Sequence, residues 1–168
     1  MNQAKQKSDI PGVAVVGMGY WGKNLVRNIH ALGALRVICD TAAAREEQIK
    51  AQYPGVSFTA SFGDVLRNES IQGVVLATPA VTHFDLARQA LEAGKDVFVE
   101  KPLSLTTRHG ETLVQLAEKN GRILMVGHIL RYHPAVLKLQ EMIASGGLGQ
   151  VHYIYSNRLN IGKIRTEE

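Results

Sequence analysis

Six short apolar runs divide residues 11–127, and the segments between consecutive runs carry helical spacing. This rhythm constrains the chain more than any other feature. The runs are Val13–Val16, Leu35–Cys39, Val56–Thr59, Gly73–Ala77, Lys95–Val99 and Arg122–Val126. Each is too short for a buried helix and too continuously apolar for a strand with one wet face, so each reads as a strand covered on both sides. Strands that alternate with helices form βαβ units, and parallel strands need right-handed crossovers. The expected fold class is therefore α/β, a doubly wound parallel sheet of Rossmann type with helices on both faces.

The helices have legible ends. The first starts near Trp21, places Leu25, Val26, Ile29 and Leu32 on one face, and closes at Gly33. The next is expected over Ala42–Tyr53, stopped by Pro54-Gly55. Ser61 with Asp64, and Thr82 with Asp85, have capping-box spacing. The Thr82 helix ends at Gly94, and a helix from about Thr106 ends at Asn120-Gly121. After 127 the pattern changes. His133-Pro134 opens a helix to about Ala144, and Gly146, Gly147 and Gly149 form a break. Residues 151–159 alternate in character and predict one strand of a different sheet. The expected organisation is a flexible tail over 1–9, a doubly wound domain over 10–127, a linking helix and glycine-rich break over 128–149, and the start of a second, truncated domain over 150–168.

Composition narrows the class of function. With 168 residues, 45% hydrophobic and 20% charged, the chain can bury an ordinary core. A net charge of +4, scattered and little interleaved with aromatics, argues against nucleic-acid binding. The N-terminus lacks the apolar core of a signal peptide, and no apolar run reaches the length of a membrane span. The single cysteine, Cys39, lies in an apolar run and reads as an inert thiol, which suits a cytoplasmic protein. His128 and His133 are not at a metal-binding spacing, so no metal is expected. His30 and His109 read as surface residues of helices.

The chemistry concentrates at strand ends. Gly17-Met18-Gly19-Tyr20-Trp21-Gly22 fits G-x-G-x-x-G directly after a strand and opens a helix. In that context Gly17 permits the tight turn, Gly19 admits a pyrophosphate to the backbone, and Gly22 allows close helix packing. The helix start supplies N–H groups and the positive dipole end. Tyr20 and Trp21 lie within this cofactor-binding turn. Asp40 ends the second strand, where a carboxylate accepts ribose hydroxyls and repels the extra phosphate of NADP. Thr41 follows it and Arg45 lies a helical turn on, so NAD is expected over NADP. The fourth strand ends in Ala77-Thr78-Pro79, with His83 a turn later. The fifth ends in Glu100-Lys101-Pro102. The sixth ends in Gly127-His128, with Arg131 near. Ligands of doubly wound sheets bind outside these ends.

In order, VAVVGMGYWG, ATPAVTH, VEKPLS and VGHILRYHP resemble the glucose–fructose oxidoreductase and inositol dehydrogenase family, Gfo/Idh/MocA. The resemblance covers the chain after residue 10. GYWGKNLVRN and SNRLNIGKIRTEE are most similar to members that oxidise nucleotide-linked or amino sugars. The resemblance implies hydride exchange between a nicotinamide and a sugar or cyclitol hydroxyl. It puts Lys101 between nicotinamide and substrate as the catalytic residue, with Thr78, Pro79 and His83 lining the cofactor. Glu100 would place the nicotinamide ribose, and Pro102 would follow a cis peptide. Arg131 would border the sugar. The family's acid/base histidine belongs to an Asp-x-x-x-His motif that these residues do not include. Three readings follow: the cofactor-binding part of an NAD-dependent sugar oxidoreductase, an incomplete dinucleotide module that needs a partner chain, and another Rossmann user such as an epimerase or methyltransferase. The Glu-Lys-Pro segment argues against the third. The strand at 151–159 would be an exposed edge, so a homo-oligomer through that region is expected.

Overall fold

The computed structural model describes residues 10–157 and 159. The expected tail over 1–9 and the segment beyond 159 lie outside the described residues. The chain divides into two units, one ending at Gly127 and the other starting at His128.

The first unit is built on six parallel strands: β1 (Val13–Val16), β2 (Leu35–Cys39), β3 (Ser57–Thr59), β4 (Gly73–Leu76), β5 (Asp96–Val99) and β6 (Leu124–Val126). Their order across the sheet is β3-β2-β1-β4-β5-β6. The order reverses between β1 and β4, which pair in parallel from Val13 with Gly73 to Val16 with Leu76. A doubly wound sheet opens its ligand crevice at such a reversal.

Alternation along the strands divides the core between the two faces. Ala14, Val16, Val74, Leu76, Val97 and Val99 join one cluster with Val65, Leu91, Leu113 and Ala117. The last four come from the helices α3 (Phe62–Arg67), α4 (His83–Glu92) and α5 (Thr107–Asn120). Val15, Ile38 and Val75 point the other way, toward Val26 and Ile49. Those two belong to α1 (Gly22–Ala31) and α2 (Glu46–Gln52).

Several local expectations meet a different outcome. Leu32 is exposed, because α1 ends at Ala31 and Gly33 turns the chain at a φ of 72°. The helix expected over 42–53 begins instead as a 3-10 turn, Ala43–Arg45, and becomes α-helical only at Glu46. Its start is drawn into a tight turn because the Ala42 N–H donates to Asp40 Oδ1. Ser61 caps α3 by accepting the Asp64 N–H, but the Asp64 carboxylate faces Arg67 and Thr59. Thr82 makes no cap. Its hydroxyl lies 2.8 Å from both Thr78 Oγ1 and the Pro79 carbonyl. His30 lies on the surface as expected, with its ring edge-on to Tyr53, whereas His109 is half-buried and stacks on Phe84 with ring centres 3.9 Å apart.

At the amino ends of the strands a lysine is buried. Lys95 is 8% exposed, and its Nζ donates to the carbonyls of Asn68 and Ile71 at 2.9 and 2.7 Å. The ammonium thereby ties the α3–β4 loop to the start of β5.

The second unit contains a 3-10 turn, Ile129–Tyr132, and α6 (Pro134–Ala144). Proline occupies the first turn of α6, and His133 Nδ1 accepts the Ala135 N–H as the cap. The strand expected at 151–159 is not formed: residues 151–157 and 159 carry no regular structure. A strand is stable only with a hydrogen-bonded neighbour, and none pairs with this stretch among the described residues. No helix among the described residues is long and apolar enough to cross a membrane.

Candidate functional site

The turn after β1 is held at both ends by neighbouring strands. The Gly17 N–H donates to the Cys39 carbonyl at 2.8 Å. Gly17 has a φ of 90°, and a Cβ there would stand 2.7 Å from the Ala77 carbonyl oxygen. Only glycine meets both demands. A Cβ on Gly22 would stand 2.0 Å from the Gly17 carbonyl oxygen, so its crowding comes from the turn itself more than from a strand. At Gly19, by contrast, a Cβ would have nothing within 4 Å. The turn is therefore closed on its inner side and open at its middle glycine. The α1 N-terminus takes no side-chain cap and has no acid in its first turn. No carboxylate among the described residues caps its donors, and an anion suits them.

Asp40 stands at the end of β2 with its side chain 9% exposed. Its Oδ2 accepts the Met18 N–H at 2.7 Å, and its Oδ1 accepts the Ala42 N–H at 2.8 Å. Arg45 Nη1 lies 3.0 Å from Oδ2 and also donates to the Met18 carbonyl. A carboxylate offers about four acceptor positions, so these three donors leave about one for a ribose hydroxyl while Arg45 stays in place. The sequence spacing puts Arg45 a helical turn from Asp40, but the 3-10 turn folds it back onto the carboxylate.

The fourth and fifth strand ends are joined by His83. This residue is 1% exposed, with Nδ1 2.6 Å from the Pro102 carbonyl and Nε2 2.9 Å from the Thr78 carbonyl. Both ring nitrogens therefore face backbone. Thr78 is half-buried and Pro79 exposed. The Lys101-Pro102 peptide is cis. Glu100 is 9% exposed, and its Oε1 accepts the Trp21 Nε1–H at 2.6 Å. Lys101 and Pro102 are exposed, and no partner for the Lys101 ammonium occurs among the described residues. Tyr20, at the turn, is 80% exposed.

The first unit thus links the predicted residues at four strand ends. Gly17 meets Ala77, Met18 meets Asp40, Trp21 meets Glu100, and His83 meets Pro102. Arg131 lies in the second unit, exposed in the 3-10 turn, where its N–H donates to the His128 carbonyl. Three participants were not legible in the sequence. Arg45 and the Trp21–Glu100 bond depend on long-range placement. Gly127 reads as a strand terminator, yet a Cβ on it would stand 3.0 Å from Glu100 Oε1.

Cys39 lies under the turn, and its thiol is pushed up to about 11 by burial first and then by the carboxylates of Asp40 and Asp64. It stays protonated and inert at neutral pH.

Known proteins resemble this chain in sequence and fold. Residues 12–128 match GFO_IDH_MocA, described as an oxidoreductase family with an NAD-binding Rossmann fold. The uncharacterized oxidoreductase YdgJ of Escherichia coli K12 is 34% identical over 150 residues, covering 89% of this chain and 43% of its own length. UDP-N-acetylglucosamine 3-dehydrogenase of Acidithiobacillus ferrooxidans is 31% identical over 152 residues, covering 90% and 46%. The crystal structure of GenD2 from gentamicin A biosynthesis, in complex with NAD, aligns with a TM-score of 0.75 at 32% identity. That alignment covers 81% of this chain and 39% of GenD2. The chain therefore spans less than half the length of the relatives it matches. A glycine turn closed at its base, a carboxylate at the end of β2 and a buried Glu before Lys-Pro at the end of β5 agree with that match, and the chain belongs to the Gfo/Idh/MocA oxidoreductase family.

Proposed function

We propose that this chain is the cofactor-holding part of an NAD(P)-dependent oxidoreductase acting on a hydroxyl of a sugar, amino sugar, nucleotide sugar or cyclitol. The observation that carries the reading is the set of contacts Met18–Asp40, Trp21–Glu100 and His83–Pro102, which ties the glycine turn to the edge that carries Lys101. The residues fit a dinucleotide: the turn is open at Gly19, the α1 start is uncapped, and a carboxylate ends β2.

In this reading Gly17 permits the turn, the backbone N–H groups of Gly19, Tyr20, Trp21 and Gly22 hold the diphosphate, and Asp40 accepts a hydroxyl of the adenosine ribose. Thr78, Pro79 and Pro102 border the nicotinamide end, with His83 supporting that border from beneath. When bound, the nicotinamide supplies hydride acceptance or donation. Glu100 orients the ribose next to it. Lys101 donates a hydrogen bond to the substrate oxygen and helps the proton leave or arrive there. Arg131 contributes to the sugar side. NAD is preferred, because Asp40 faces the ribose position. Arg45, on the same carboxylate, is the cation available to a 2′-phosphate.

Titration with NADH and NADPH, followed by nicotinamide fluorescence, tests the reading. NADH should bind in the micromolar to sub-millimolar range, and NADPH more weakly. Arg45→Ala should widen that gap. Absence of NADH binding at millimolar concentration would refute the dinucleotide reading. Dehydrogenase assays with sugar and cyclitol alcohols then separate a competent oxidoreductase from a binding module that requires a partner chain.

A further inference from the structure

The Glu100 carboxylate is seated by features from two other strand ends. From the first turn, the Trp21 indole N–H donates to Oε1 at 2.6 Å, across 79 positions of sequence. From the end of β6, Gly127 lies so close that a Cβ there would stand 3.0 Å from Oε1 and 3.1 Å from Oε2. Glu100 is 9% exposed and Trp21 39%. A buried carboxylate needs a donor, and bonds to a charged acceptor are among the stronger hydrogen bonds in proteins. The indole is that donor, and the absent side chain of Gly127 is the space the carboxylate occupies.

We infer that Trp21 is a positioning residue for the nicotinamide half of the cofactor, although it sits on the turn that holds the diphosphate. Its indole orients Glu100, the neighbour of Lys101, and Gly127 completes the seat. The inference rests on the dinucleotide reading above. It differs from the simpler role of Trp21 as a packing residue at the start of α1, which would affect the diphosphate and the turn alone.

The two roles separate by ligand. ADP occupies the adenosine and diphosphate sites but lacks the nicotinamide riboside, whereas NADH reaches Glu100. By calorimetry, Trp21→Phe should weaken NADH about tenfold and ADP by less than about twofold, the scale expected when a supporting residue is lost. Gly127→Ala should do the same by displacing the carboxylate. Trp21→Phe combined with Glu100→Gln should lose no more than the worse single variant, since both break one bond. Retained ADP affinity also reports that each variant is folded.

The chain has one tryptophan, so its indole N–H gives a single resonance. Glu100→Gln should shift that resonance in the unliganded protein. An unmoved signal would overturn the inference, as would equal weakening of ADP and NADH, or unchanged NADH affinity in Trp21→Phe. Wild-type protein that binds neither ligand would refute the cofactor reading and this inference with it. Binding of both ligands with no selective loss would refute this inference alone.

Discussion

The two units of the chain carry similar apolar sequences and put them to different use. In residues 10–127 most apolar positions of the four central strands are buried, and Val15, Ile38, Leu76 and Val99 are fully enclosed. In the second unit α6 has no buried residue, and Leu137, Leu139, Met142 and Ile143 are 38–48% exposed. The difference is not one of hydrophobicity. A parallel sheet with helices on both faces offers each strand two covering layers, while a single helix offers its apolar stripe none. Apolar pattern predicts burial only where the topology supplies a partner surface.

Paired substitutions can break this contrast. Leu91→Ala, in the fully buried core of α4, should cost about 2–5 kcal/mol in chemical denaturation. Leu139→Ala, 42% exposed in α6, should cost less than about 0.5 kcal/mol. Similar losses at the two sites would show that α6 is covered in solution. Glycines give a second pair. Gly22→Ala brings a Cβ to 2.0 Å from a backbone oxygen and should cost about 3 kcal/mol while abolishing NADH binding. Gly147→Ala, whose nearest neighbour is at 3.4 Å, should leave stability within about 0.5 kcal/mol of wild type.

Alkaline pH sharpens the contrast further, because the one cysteine lies in the first unit. The Cys39 thiol titrates near 11 in the folded chain, against an ordinary 9.0. Between those values the unfolded chain releases the proton and the folded chain keeps it, so stability falls as pH rises. The loss should reach about 2 kcal/mol by pH 11 and be absent in Cys39→Ala, as read from the difference between the two denaturation curves. The smallest effect is expected from ending the chain at Gly127. The melting temperature should move by less than about 3 °C, because α6 has no buried residue. A larger drop would mean that the units support each other.

The fold was readable because its signals are local. Val13–Val16 and Leu35–Cys39 match the observed strands residue for residue, and Gly33, Gly94 and Gly121 end their helices at positive φ. What escaped depends on where a side chain finds its nearest partner. Thr82 has capping spacing, but the Pro79 carbonyl competes for its hydroxyl. The strand at 151–159 has the right alternation and lacks a neighbour. At the site, residue types at the strand ends were legible. The wiring between them was not, since bonds spanning 79 and 19 positions leave no trace in spacing.

The buried Lys95 has a practical consequence. An amine-modifying reagent followed by mass spectrometry should label Lys101 early and pass over Lys95 until the chain opens, since carbonyl oxygens occupy that ammonium at 2.7 and 2.9 Å. Labelling at 95 is then a built-in clock for global opening of the sheet. Labelling at 101, slowed by whatever settles over it, becomes a footprint of occupancy at the opposite rim.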